Sequence, residues 1–182
     1  MSMNILQGNV FDAKADAIIL SIDGDAKGME GNLSRQFALR WPDVWQEIHD
    51  EIRQQIPLGK VIEFEPVTYC SFRLILLAST LHHREVLSDA AKQGIIRDAT
   101  EKSLKLAARH SINTVAAALM VGGWRVTLQS AFLSMIDGYE SARRNNINTN
   151  LDIHILQPGD HEIIRSLAGN IGWLSGQAGS CR

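Results

Sequence analysis

Two apolar segments of this chain each lead directly into a loop that contains glycine. The first covers residues 15–22 and is followed by Asp23-Gly24-Asp25 and then by Gly28-Met29-Glu30-Gly31. The second covers residues 112–121 and is followed by Gly122-Gly123-Trp124. A buried strand that ends in glycine and continues into a helix brings backbone N–H groups next to a helix N-terminus, which suits an anion. Two such loops at one edge of a sheet could hold a diphosphate.

The first loop also carries carboxylates that have a chemical and a structural interpretation. In a crevice, Asp23 and Glu30 would form an acid/base pair, in which one activates water and the other orients a ribose hydroxyl. Alternatively, Asp23 and Asp25 shape the turn, and Glu30 stabilises a helix N-terminus electrostatically. The structural interpretation is favoured, since carboxylates at such places need no function.

The second loop likewise allows two interpretations. Gly122 and Gly123 permit close approach of the backbone to a phosphate, but glycine after a strand often only permits a positive φ. Because the first loop is also present, the two interpretations are equally supported. Trp124 either stacks on a ribose or lies partly buried at a helix start, and we favour the ligand contact.

Composition and charge restrict the classes of function. Of the 182 residues, 45% are hydrophobic and 21% are charged, and the net charge is -2. This balance gives no electrostatic reason to expect binding to a nucleic-acid duplex or a membrane surface. Cys70 and Cys181 have neither metal-ligand spacing nor a disulfide framework, so we expect a cytoplasmic protein. We expect no metal and no cofactor, and we interpret His82-His83 as an exposed loop pair because adjacent side chains diverge.

Hydrophobic periodicity predicts strands that alternate with helices. This pattern indicates an α/β protein, a three-layer α/β/α sandwich with a central mixed sheet. The segments 15–22 and 112–121 lack polar alternation, so we expect them to be neighbours, or nearly so, at the centre of the sheet. Pro42 is expected to divide a helical stretch between 30 and 55. The other predicted strands are 3–7, 61–66, 72–78 and 151–156, of which the middle two form a hairpin, and the other predicted helices begin at Ser88 or Asp89, at 127 and at 160.

The order of these segments resembles that of the macro domain, a family of ADP-ribose-binding modules and ADP-ribosyl hydrolases. The resemblance covers roughly residues 3–156. It predicts a macro-like domain over 1–158, followed by a C-terminal helix and loose tail over 159–182. The segments that carry it are Gln7-Gly8-Asn9-Val10, 15–19, Gly28-Met29-Glu30-Gly31, Gly59-Lys60-Val61, 74–77, Val121-Gly122-Gly123-Trp124 and 151–156.

The resemblance implies a ligand crevice at the carboxyl ends of the strands. It places adenine near Asn9 and Val10, and the distal ribose near Asp23. The diphosphate would lie between the loop from Gly28 to Gly31 and the loop that contains Val121, Gly122, Gly123 and Trp124. This sequence departs from the family pattern, which has Asp at the place of Asn9 and asparagines at the places of Leu20 and Asp23. The glycine run after Asp23 is also shorter than in the family.

Three functional hypotheses follow from the resemblance. The first is a binding module for ADP-ribose or a related nucleotide diphosphate, whose partners include ADP-ribosylated protein. The second is an ADP-ribosyl or O-acyl-ADP-ribose hydrolase that uses Asp23 and Glu30. The third is a macro-like domain whose vestigial pocket serves protein interaction. We expect little or no hydrolase activity, because Leu20 removes a polar group and the short first loop displaces Glu30.

Overall fold

A computed structural model describes residues 1–25, 31–121 and 126–173. The described residues include the strands β1 Met3–Gln7, β2 Ala17–Asp23, β3 Val61–Phe64, β4 Leu74–Leu81, β5 Thr114–Ala118 and β6 Asn150–Ile155. They form one sheet with the order β1-β6-β5-β2-β4-β3. All neighbouring strands are parallel except β3 and β4, so the sheet is mixed as predicted.

The central place of β2 and β5 confirms the topology predicted from their apolar character. They are parallel neighbours, with Ala17 opposite Val115 and Ile19 opposite Ala117. Strand β5 is shorter than the predicted 112–121, since its pairing ends at Ala118. The predicted hairpin is also confirmed, because β3 and β4 pair antiparallel.

Helices cover both faces of the sheet and complete the predicted three-layer sandwich. The helices are α1 Asn32–Arg40, α2 Pro42–Glu51, α3 Asp89–Arg109, α4 Leu128–Arg144 and α5 Pro158–Asn170. Helices α1 and α2, together with a short 3-10 helix at Val10–Asp12, share one buried cluster with the sheet. Helices α3, α4 and α5 share a second cluster with the opposite face.

The helix starts follow from local capping chemistry. Pro42 is the first residue of α2, where its missing N–H costs nothing, and it divides α1 from α2 as expected. The hydroxyl of Ser88 accepts a hydrogen bond from the N–H of Ala91 at the start of α3. Thr127 caps α4 in the same way through the N–H of Ser130.

Helix α5 packs on the same core as α3 and α4. Its residues Ile164 and Ala168 are fully buried in that cluster. The loose tail predicted for the last residues lies outside the described part of the chain from 174 onwards. None of the described helices is long and apolar enough to cross a membrane.

A close contact between α3 and α4 generates a stability prediction. A Cβ atom at Gly138 of α4 would lie 2.4 Å from the carbonyl oxygen of Arg97 and 2.8 Å from the Cβ of Thr100. We therefore expect Gly138→Ala to lower the free energy of unfolding by about 1–3 kcal/mol, the usual cost of overpacking. Urea denaturation of the purified variant measures this change.

Gly94 of α3 provides the matched control, because a Cβ atom there meets nothing within 4 Å. Gly94→Ala should raise the free energy of unfolding by up to about 1 kcal/mol through helix propensity alone. If Gly138→Ala and Gly94→Ala changed the free energy of unfolding equally, the close contact between Gly138 and α3 would be contradicted.

Candidate functional site

A cavity of about 410 Å³ lies at the carboxyl ends of the five parallel strands. Ligands of open α/β sheets bind at this edge, because the loops that follow the strands meet there. The first turn of α1 forms one wall, and residues from α3, α4 and α5 contribute to the others. The strand and loop segments that line the cavity are 8–10, 21–23, 31–33, 80–81, 118–121 and 154–157.

The structure places half of the sequence-predicted site residues around this one cavity. Those that line it are Asn9, Val10, Asp23, Gly31 and Val121. The others lie outside the described residues: Gly28, Glu30, Gly122, Gly123 and Trp124. The proposed pairing of Asp23 with Glu30 therefore stays a prediction.

Asn9 has a structural role at the end of β1. Its side-chain oxygen accepts a hydrogen bond of 3.0 Å from the N–H of Phe11 and so caps the 3-10 helix. This cap fixes the backbone at Val10, which is buried beside the cavity. The amide NH2 group of Asn9 is a donor that the cap does not use.

The cavity has a polar end where β2 and β4 finish. The hydroxyls of Ser21 and Thr80 hydrogen-bond to each other, and both residues line the cavity. One hydroxyl must donate and the other must accept, so the pair keeps one proton for a further acceptor. The carboxylate of Asp23 lies at the same end and is only 4% exposed.

Leu20 lies on the other face of β2. Successive side chains of a strand point to opposite faces, so Leu20 packs with Ile18 and Phe37 in the cluster under α1 and α2. It is fully buried and does not line the cavity, whereas the adjacent Ser21 does. The departure from the family pattern at Leu20 therefore falls in the core, and Ser21 supplies the hydroxyl at the cavity.

Asp23 is part of a hydrogen-bonded group that the sequence did not reveal. One of its oxygens accepts from the N–H of Asp25, and the other lies 3.0 Å from Nδ1 of His83. His83 follows β4, sixty positions further along the chain. The signal available in the sequence is that Asp23 and His83 each lie at or just after the end of a strand. Because β2 and β4 are parallel neighbours, they bring these two residues to the same edge of the sheet.

The expectation of an exposed His82-His83 pair was wrong for His82. His82 is buried, and its Nε2 lies 2.8 Å from the carbonyl oxygen of Ile56, while its Nδ1 lies 3.0 Å from Glu85. The side chain of His83 is half exposed. The two rings diverge as adjacent side chains must, but one of them points inward and anchors the loop.

Gly24 is required between Asp23 and Asp25 because three groups crowd it. A Cβ atom there would lie 2.1 Å from Oγ of Ser79, 2.2 Å from the carbonyl oxygen of Ile56 and 3.0 Å from Nε2 of His82. The N–H of Gly24 donates to Leu81, and its carbonyl accepts from Ile56. This close packing fixes the two aspartates that flank the glycine.

The N-terminus of α1 faces the cavity without a capping side chain. Gly31 occupies the N-cap position and has no side chain, while Asn32 and Leu33 of the first turn also line the cavity. The first N–H groups of a helix lack partners within the helix and carry its partial positive charge. Such an end suits an anion within a cavity. Among the described residues, no group of three or more His, Cys, Asp or Glu could hold a metal ion.

His154 of β6 lines the opposite part of the cavity. Its Nε2 is buried and has no hydrogen-bond partner among the described residues. Burial lowers the pKa of His154, and the negative charges of Asp152 and Asp12 oppose that shift. The neutral imidazole is therefore favoured in the folded chain.

The lowered pKa of His154 predicts acid sensitivity. Because the unfolded state takes up the proton at a higher pH, stability is retained above the unfolded value of about 6.5 and falls as the pH decreases toward the folded value. We expect the melting temperature of the His154→Leu variant to fall less between pH 7 and pH 5 than that of the unmodified chain. The control is His161→Leu, which removes a histidine that does not line the cavity. Equal acid sensitivity of the unmodified chain and His154→Leu would contradict the prediction.

Comparison with known proteins gives matches in structure but not in sequence. No protein-family model and no curated protein matches the chain. A mutant of the Oceanobacillus iheyensis macrodomain has a TM-score of 0.79 and 11% identity, covering 92% of this chain and 90% of that one. Another mutant of that macrodomain, with ADPR, has a TM-score of 0.77 and 10% identity, covering 92% and 91%. The macrodomain of Thermus aquaticus DarG has a TM-score of 0.67 and 14% identity, covering 84% and 97%.

At these identities the likeness concerns architecture. It extends over 84% or more of both chains in each pair, so it includes the mixed six-stranded sheet and the helices on both faces. The fold expected from the order of the sequence segments is confirmed. The chain has the fold of the macrodomains.

Proposed function

We propose that this chain is a binding module for ADP-ribose or a related nucleotide diphosphate. The observation that carries the proposal is that one cavity is lined by Asn9 and Val10, by the N-terminus of α1, and by the polar residues Ser21, Thr80 and Asp23. A volume of about 410 Å³ lies within the usual range of small-molecule sites, about 300–1,000 Å³. The macrodomain structure that contains ADPR shares the fold.

The adenine is proposed to lie at the end formed by β1 and β6. Val10, Ile155 and Leu156 give this part of the wall an apolar surface. An aromatic base gains free energy by leaving water for such a surface. The amide NH2 of Asn9 is an available donor for a ring nitrogen of the base.

The diphosphate is proposed to lie against the first turn of α1. Backbone N–H groups at Asn32 and Leu33 give hydrogen bonds and partial positive charge without a basic side chain. Asp23 would repel phosphate, so the charged part of the ligand should lie away from it. Val121 and the glycines that follow it in sequence are proposed to complete the diphosphate site.

The distal ribose is proposed to lie at the polar end. The Ser21-Thr80 pair has one proton to donate, and Asp23 accepts hydrogen bonds from sugar hydroxyls. This end is close to the surface, because the side chain of His83 that contacts Asp23 is half exposed. A protein attached to the distal ribose would leave the cavity here, which supports ADP-ribosylated protein as a partner.

Calorimetric titration with ADP-ribose, ADP, AMP and NAD tests the proposal. We expect saturable binding of ADP-ribose and weaker binding of AMP, which lacks both the second phosphate and the distal ribose. An absence of binding by all four compounds would contradict the module and favour a vestigial pocket that serves protein interaction.

Substitution of Gly31 tests the position of the diphosphate. The φ of −157° at Gly31 is extended backbone, and an added Cβ is 3.4 Å or more from its neighbours, so the fold should tolerate a side chain. We expect Gly31→Val to weaken ADP-ribose binding about tenfold or more, about 1.4 kcal/mol, by covering the N–H groups of α1. Gly31→Ala is the matched control with a smaller expected loss. Unchanged affinity in a folded Gly31→Val variant would place the diphosphate elsewhere.

A further inference from the structure

The loop between β3 and β4 presents two large apolar side chains to solvent. Val67 is 94% exposed and Tyr69 is 83% exposed. The loop is nevertheless anchored, because the carboxylate of Glu47 on α2 accepts hydrogen bonds of 2.9 Å from the N–H groups of Val67 and Thr68. The same carboxylate also accepts one from the hydroxyl of Thr68. We call residues 67–69 the hairpin tip. Since its backbone is already ordered, the tip would lose little conformational entropy on contact with a partner.

The hairpin tip lies beside a row of carboxylates on α2. Asp43 and Glu51 are one helical turn on either side of Glu47, so the three side chains share one face of the helix. Neither Asp43 nor Glu51 has an ion-pair partner in the described part of the chain, and α2 contains no lysine or arginine. The tip therefore combines exposed apolar surface with uncompensated negative charge.

A pocket of the opposite charge lies where α3 and α4 end. It has a volume of about 410 Å³, which is enough for a tyrosine ring, and we call it the basic pocket. It is lined by Lys105, Ala108, Arg109, Asn145 and Ile147. Ala108 and Ile147 provide apolar surface. Lys105 is paired with Glu101, whereas exposed Arg109 has no ion-pair partner within residues 1–25, 31–121 and 126–173.

The hairpin tip and the basic pocket belong to the same end of the molecule. Glu65 and Arg73, which flank the tip in sequence, both contact His110. The Oε1 atom of Glu65 lies 3.0 Å from Nδ1 of His110, and Nη2 of Arg73 donates to its carbonyl oxygen at 3.0 Å. His110 directly follows Arg109 of the pocket. This end holds the starts of β4 and β5, so a contact here leaves the cavity at the carboxyl ends of the strands open.

We propose that two copies of this chain associate at this end, with the hairpin tip of each copy in the basic pocket of the other. The tip supplies an aromatic ring and negative charge, and the pocket supplies apolar surface and positive charge, so the two surfaces are complementary. Because both lie at one end of the chain, a twofold axis makes two equal contacts and closes the assembly as a dimer. The association removes Val67 and Tyr69 from water. It does not depend on the proposed nucleotide site.

Sedimentation velocity on the full chain between about 1 and 500 µM tests the dimer. We expect a dimer that forms as concentration rises and weakens with added salt, because screening reduces the attraction between the carboxylate row and Arg109. Val67→Ser should raise the dissociation constant about tenfold, since each dimer loses two valine contacts. A chain that stays monomeric throughout this range overturns the proposal.

Val86→Ser is the matched control for Val67→Ser. It makes the same change at a fully exposed valine in the loop after β4, at the cavity end of the molecule. We expect it to leave the dissociation constant unchanged. Equal effects of Val67→Ser and Val86→Ser would show that the hairpin tip is not the contact and would overturn the proposal.

A mixture of two variants tests whether the tip of one copy meets the pocket of the other. Tyr69→Ser removes the ring of the tip, and Arg109→Glu reverses a charge of the pocket. Both side chains are exposed, so the melting temperatures should stay close to that of the unmodified chain. Each variant alone should dimerise at least about tenfold more weakly.

A mixed dimer of these variants keeps one intact contact, between the tip of the Arg109→Glu copy and the pocket of the Tyr69→Ser copy. It should therefore form about tenfold more tightly than the dimer of either variant alone. If the tips packed against each other instead, mixing would restore no intact contact. The absence of a gain on mixing would overturn the placement of the tip in the basic pocket.

Discussion

The burial of β2 between two parallel neighbours is the constraint on which the rest of this structure depends. β5 and β4 cover its edges and helices cover both faces, so polar residues are tolerated only at its last positions, where hydrogen bonds offset the desolvation cost. Ser21 and Asp23 stand at that point. A register shift of one residue would exchange Leu20 with Ser21, which would put a hydroxyl into the core and a leucine at the cavity. Core packing and cavity chemistry therefore fix the same register.

The turn after β2 transfers this rigidity to the polar end of the cavity. Gly24 contacts Ser79 and Ile56 so closely that no side chain fits, and buried His82 hydrogen-bonds to the same carbonyl of Ile56. The loop between α2 and β3, which contains Ile56, and the end of β4 thus both pack against Gly24. As a result, the carboxylate of Asp23 is placed by backbone packing, and its position does not depend on a flexible side-chain network.

The fold could be predicted from local patterns because each pattern has one physical cause. Two strands without polar alternation had to lie at the centre of the sheet, and Pro42 had to begin a helix. The site could be predicted only in part. Asn9, Asp23 and Gly31 lie where loops follow strands or precede helices, which sequence order reveals. The contact of His83 with Asp23 joins residues sixty positions apart, and the inward turn of His82 depends on Ile56, so neither has a local signal.

The electrostatics of the cavity explain how a chain with a net charge of -2 could accept a dianionic ligand. No lysine or arginine side chain lines the described part of the cavity wall, which instead offers backbone N–H groups at the start of α1. These donors carry partial charge without the desolvation cost of a buried ammonium or guanidinium. In the proposed complex the carboxylate of Asp23 is a second determinant, since it would repel phosphate and accept hydrogen bonds from sugar hydroxyls. The carboxylate of Asp160 also lines the cavity, so in the proposed complex the N–H groups at the start of α1, and not a difference in charge between the two ends, would set where the phosphates lie.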